Sequence, residues 1–212
     1  NLLSMTLNQR IRIKVATGSM SADKGWYTPM TPAAAAEFEA DKLAFMRSHA
    51  GPDAWLMLDG HMGNSPGATW TVEIAIAAAK AAEPYNLFFF EEPLHYTDPW
   101  GYAELCRATT VPIAGGECLT AAYEWRVFIA QDSFDIGQPD ASFTGGIGEF
   151  MAVAKMMADR GRKIATHAWG AGGSLMQGGR RAPLGPASHV EQEPAQEPRD
   201  HERGAAVADE RQ

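Results

Sequence analysis

The chain has 212 residues, 45% of them hydrophobic and 21% charged, which is enough for one domain with a sizeable core. A formal net charge of −8 argues against nucleic acid or an anionic membrane as partner, because both would repel it. Cys106 and Cys118 are the two cysteines and form no C-x-x-C pair; with no apolar run near the roughly 20 residues of a membrane span, the chain reads as cytoplasmic.

In chain order, Ile11–Val15 reads as a strand. Thr31 and Pro32 form an N-cap and N1 pair, and the pattern stays helical to about Ser48 before Gly51 and Pro52 break it. Trp55–Asp59 reads as a strand and Thr71–Glu83 as an alanine-rich helix. Leu87–Glu91 is apolar up to its acidic end, as a strand buried on both faces should be. Asp98-Pro99 opens the next helix. Ile113–Gly116, Phe134–Gln138 and Lys163–Thr166 read as strands, with helices over Thr120–Gln131 and Ile147–Arg160 between them. This alternation implies βα units around a parallel sheet, either an open doubly wound sheet or a (β/α)8 barrel.

The composition changes at Gly178. From there to Gln212 the chain has no Phe, Trp, Tyr, Ile, Met or Lys, so it lacks the apolar surface needed to order itself. The expected organisation is an incomplete barrel domain at 1–177 and a low-complexity, disordered tail at 178–212. The abrupt onset of the tail after a Gly-rich turn reads as a frame change in the coding DNA, which resequencing would reveal. The chain opens on Asn1 rather than Met and reads as starting partway through a larger protein.

Each strand leads to a residue that can bind a metal or move a proton: Lys14, Asp59, Glu91, Glu117, Asp140 and His167 in turn. From Asp59 onward they lie 32, 26, 23 and 27 residues apart, close to the roughly 30 residues of one βα unit. In a barrel the C-terminal strand ends converge on one face, where catalytic groups gather. Asp59, Glu91 and Glu117 would make a hard oxygen cage suited to Mg²⁺. Without a cation they would raise one another's pKa values. Glu91 and Glu92 are adjacent, so only one can point into the mouth, and the expectation falls on Glu91.

The strand-end Lys14, the D…EEP…GE series and the QPD…THxxG pair together resemble the enolase superfamily, in its mandelate racemase/muconate lactonizing enzyme-like branch, over about Arg10–Gln177. The resemblance implies a partial (β/α)8 TIM-like barrel, α/β in class, with Asp59, Glu91 and Glu117 as Mg²⁺ ligands. It implies that His167 acts as general base or acid, oriented by Asp140, with Lys14 on the opposite face of the substrate. Asp59-Gly60-His61 is similar to the D-x-H of acid-sugar dehydratases, whose His protonates the departing hydroxyl. The implied reaction is removal of the proton α to a carboxylate followed by loss of water from a sugar acid, in a homo-oligomeric parent protein.

Arg12 replaces one lysine of the family's K-x-K pattern; it can pair with a substrate carboxylate but stays protonated. His95, with Tyr96 and Trp100, either lines the substrate pocket or caps the next helix, and Trp169 marks a tight Gly-rich turn near the ligand. The family's N-terminal capping domain and its last strand have no counterpart in this sequence, so the polypeptide alone is expected to be marginally stable and poorly active. A racemase or epimerase of a 2-hydroxy acid and an inactive metal-binding fragment are the alternatives. A Zn²⁺ hydrolase lacks the H-x-H pair it would need.

Overall fold

A computed structural model of the protein describes residues 12–16, 30–63 and 70–168. Trp169 and the 178–212 tail, with the loop residues Trp26 and Tyr27, lie outside the described residues, as does the side chain of Arg12. The elements are β1 (Arg12–Ala16), α1 (Pro32–Ala50), β2 (Trp55–Asp59), α2 (Val72–Ala82), β3 (Phe89–Glu91), α3 (Pro99–Ala108), β4 (Ile113–Gly115), α4 (Ala122–Ala130), β5 (Ile136–Gly137), α5 (Ile147–Asp159) and β6 (Lys163–Ile164).

Local chemistry sets the helix starts. The Thr31 hydroxyl accepts from Ala34 N–H at 3.2 Å, the Thr71 hydroxyl from Ile74 N–H at 3.5 Å, and Asp98 Oδ1 from Gly101 N–H at 2.8 Å. Each satisfies one of the donors that a helix N-terminus leaves free. The start of α4 falls at Ala122 rather than Thr120, because the Glu124 carboxylate accepts from the amides of both Thr120 and Ala121. Glu149 reaches across from α5 to accept from Ala122 N–H at 2.8 Å.

The six strands form one parallel sheet in the order β1-β2-β3-β4-β5-β6. A doubly wound sheet reverses its strand order at a switch point. This order never reverses, which is the barrel progression. Side-chain alternation divides the apolar residues into two clusters. Leu56, Leu58, Phe90 and Ile113 pack outward against Ala75, Ala79, Leu105, Trp125 and Met157 of the helices. Met57, Phe89, Ala114 and Ile136 form the inner cluster. Asp59 and Glu91 fall two residues beyond Met57 and Phe89, so they continue the inner face at its C-terminal end. Among the described residues no helix is long and apolar enough to cross a membrane.

Candidate active site

The register of the sheet sets Asp59 directly beside Glu91, and β1 brings Lys14 alongside, two residues below and opposite Met57. Lys14 Nζ lies 3.0 Å from Asp59 Oδ2 and 2.6 Å from Glu91 Oε1. An ammonium is thus drawn onto two carboxylates at a strand-end face. Burial works against the charge on Lys14, but Glu91 and Asp59 outweigh it and hold the pKa above the ordinary value. Asp59 moves the opposite way: burial would raise it, while hydrogen bonding to His61 and the charge of Lys14 lower it.

Gly116 governs how the chain reaches Glu117. Its φ is +104°, and a Cβ there would meet the buried Trp125 ring, so only glycine fits this turn. Glu117 Oε2 lies 3.3 Å from His167 Nε2. His167 Nδ1 lies 2.8 Å from Asp140 Oδ2, and the other oxygen of Asp140 accepts from the amide and hydroxyl of Ser142. Burial of Asp140 would raise its pKa, but the bonds from Ser142 and His167 keep it below the usual carboxylate value. Asp140, His167 and Glu117 therefore form a continuous chain of contacts. Burial raises the Glu117 carboxyl, and the nearby His167 offsets part of that rise.

His61 sits where β2 ends. Its backbone N–H donates to Asp59 Oδ1 at 2.9 Å, and its Nδ1 is 3.8 Å from Asp59 Oδ2. The bond to Asp59 pushes the imidazole up to about 9, against the effect of burial. That shift favours the imidazolium, the form that donates a proton.

Glu92 is the residue the sequence reading passed over. It is 1% exposed, and burial followed by repulsion from Glu117, Glu91 and Asp59 pushes its carboxyl up to about 8. Donor atoms of His61, Glu92 and Glu117 lie within 4.8 Å of one another, a grouping that could hold a metal ion. Strict alternation would turn Glu92 away from the mouth, but its φ of +42° breaks the alternation. Adjacent acids give no sequence signal for such a turn.

The other expected residues are placed less centrally. The His95 ring is tied to Thr97 at 2.8 Å and lies against Tyr96, in the turn leading to α3, where Asp98 supplies the cap. Trp100 is 63% exposed on α3. Cys118 directs its thiol toward Glu92 Oε1 at 3.8 Å, and burial pushes that thiol above its ordinary pKa, which disfavours the thiolate a nucleophile needs. A cavity of about 620 Å³ lies at the opposite end of the strands, lined by Trp55, Phe88, Pro112, Asp135 and Arg162.

The donor set fits a hard divalent cation. Three carboxylates stand at consecutive strand ends, and Glu91 Oε2 is buried with no hydrogen-bond partner, a costly state for an anionic oxygen unless a cation satisfies it.

Residues 6–203 match the model of the enolase C-terminal domain-like family. The chain belongs to that family. Over 126 residues it is 36% identical to L-talarate/galactarate dehydratase of Salmonella typhimurium, an alignment covering 59% of this chain and 30% of that protein. The solved L-talarate dehydratase of a Polaromonas species, complexed with Mg and L-glucarate, superposes with a TM-score of 0.60 at 29% identity, covering 76% of this chain and 39% of that one. A racemase from Streptomyces coelicolor with bound magnesium gives the same TM-score, identity and coverage. The chain spans about a third of the length of the curated relatives it matches.

Proposed function

We propose that this chain carries the reaction centre of a Mg²⁺-dependent acid-sugar dehydratase, a lyase that removes the proton α to a carboxylate and eliminates water. The observation that carries the reading is the place of His61, its backbone N–H on Asp59 Oδ1 and its Nδ1 3.8 Å from Asp59 Oδ2, beside the row of carboxylates. Elimination needs an acid for the departing hydroxyl, and His61 is in place to be one.

Asp59, Glu91 and Glu117 would hold the ion, and the orphaned Glu91 oxygen supports a cation there. When bound, Mg²⁺ supplies Lewis-acid stabilisation of the charge that builds on the substrate carboxylate. His167 is fixed at Nδ1 by Asp140 and turns Nε2 toward Glu117, ready to exchange the α-proton from one face. Lys14 stands at the other end of the row, on Asp59 and Glu91, and serves the opposite face. The electron pair of the broken C–H bond becomes the new C=C bond, the hydroxyl leaves with the proton of His61, and the resulting enol tautomerises to a 2-keto acid. The relatives act on or bind sugar acids, which supports that substrate class. The same reading makes the protein cytoplasmic, with neither nucleic acid nor membrane as partner.

Lys14 and His167 at opposite ends of the row also favour a second reading, racemisation or epimerisation by two opposed groups. Incubation with Mg²⁺ and a panel of sugar acids in D₂O separates the readings. Keto-acid formation is the expected result. Deuterium at the α-carbon without keto acid identifies a racemase or epimerase, and neither signal leaves an inactive metal-binding fragment.

A further inference from the structure

We infer that Glu92 is a positioning residue that holds the loop after β2 and so sets the place of His61. The inference rests on the dehydration reading for its consequence, while its geometry stands alone. Glu92 follows β3, and its φ of +42° turns it toward residues 60–63. Its backbone carbonyl accepts from Met62 N–H at 3.1 Å, and its carboxyl Oε2 accepts from Gly63 N–H at 3.2 Å. Cys118 Sγ–H supplies a donor to the other carboxyl oxygen.

The fit is close enough to dictate sequence. A Cβ on Gly60 would overlap the Glu92 carbonyl, and one on Gly63 would overlap the Glu92 carboxyl. On the near side of His61, Gly60 N–H donates to Glu91 O at 2.7 Å. His61 is therefore bracketed between an anchor on Glu91 and an anchor on Glu92. Its own φ of +50° is a left-handed conformation uncommon for a non-glycine residue, and the two anchors hold it. Glu92 acts through this loop, and its effect should fall on the step that His61 performs.

Three measurements on the full chain test this. In Glu92→Leu, amide hydrogen exchange at Gly63 should rise about tenfold, as for one lost hydrogen bond, while the β2–β3 ladder keeps its protection. Mg²⁺ affinity by calorimetry, with the metal alone, tells a positioning role from that of a ligand: it should stay at the wild-type value, the ion being held by Asp59, Glu91 and Glu117, whereas a fall would make Glu92 a ligand of the His61–Glu92–Glu117 grouping and overturn the inference. Keto-acid formation should fall about 10- to 100-fold, as for a misplaced group, while α-deuterium exchange persists. Glu92→Gln, which keeps an oxygen acceptor, should restore Gly63 protection and keto-acid formation and leave Mg²⁺ affinity unchanged. If Glu92→Leu does not fold, Gly63→Ala displaces the carboxyl from the same N–H and carries the same expectations. Unchanged Gly63 exchange, loss of Mg²⁺ affinity in Glu92→Gln, or a parallel fall of exchange and elimination would overturn the inference. If the wild-type chain forms no keto acid, the dehydration reading fails, and amide exchange with metal affinity still decides the role of Glu92.

Discussion

Asp140 governs the His167 side of the site. Both its oxygens are engaged, one by Ser142 and one by His167, so the imidazole has one favoured orientation. Asp140→Asn should lower kcat by about 10²- to 10⁴-fold, the usual contribution of a positioned acid or base, with little change in KM; steady-state kinetics check this. Asp140 also links stability to pH. Its folded pKa lies below that of an unfolded Asp, about 3.9. Its contribution is therefore complete above that value and is lost as pH falls through the depressed folded value. Urea midpoints measured between about pH 5 and pH 2 should fall less steeply in Asp140→Asn than in the wild type. At this scale the sequence showed which residue types were available. The pairing of Asp140 with His167, 27 residues on, was expected by resemblance, and the contact of His167 with Glu117 was visible only in three dimensions.

Among the elements, α1 packs on the core through Ala35 and Leu43 and is fastened at its end by Arg47. Arg47, near its C-terminus, donates to the carbonyls of Gly51, Ala54, Tyr85 and Asn86, fastening the helix to the start of β2 and the turn before β3. Arg47→Ala should cost about 1.5–3 kcal/mol, the range for hydrogen bonds made by a charged group, and Arg47→Lys should recover little because one ammonium cannot span these carbonyls. Denaturant unfolding of the variants measures both. The starts at Thr31 and Asp98 were legible because capping is a local chemistry of three or four residues, whereas Thr71, expected as the first helical residue, turned out to be the cap. The strands were legible in position but not in extent. The expected Phe134–Gln138 strand shortens to Ile136–Gly137, since Phe134 turns out to stack on Phe128 and Asp135 Oδ2 accepts from Ile113 N–H.

For the molecule as a whole, the carboxylates are the main charge problem of the inner face. A divalent ion bound only by the folded state should stabilise it by about 2.7 kcal/mol at 100 times its Kd. Thermal scans with Mg²⁺ should therefore show a raised Tm that chelation reverses, and Glu91→Gln should abolish most of the rise. An unchanged Tm at saturating Mg²⁺ would contradict the assignment of Asp59, Glu91 and Glu117 as ligands. The parallel α/β class followed from the alternation of elements. The barrel rather than a doubly wound sheet was expected from the resemblance, and the unreversed order of six strands bears it out.

The sequence by itself determined the series of strand-end residues, because a strand's side-chain period and the spacing of βα units are local properties. It also determined the helix starts at Pro32 and Pro99. The tertiary structure decided which groups meet. It seated Lys14 on Asp59 and Glu91, ran Asp140 through His167 to Glu117, and gave Glu92 a place by turning its backbone to φ +42°. These contacts join residues on different strands. Their distances are fixed by sheet register and by close packing around Gly60, Gly63 and Gly116, which no local pattern encodes.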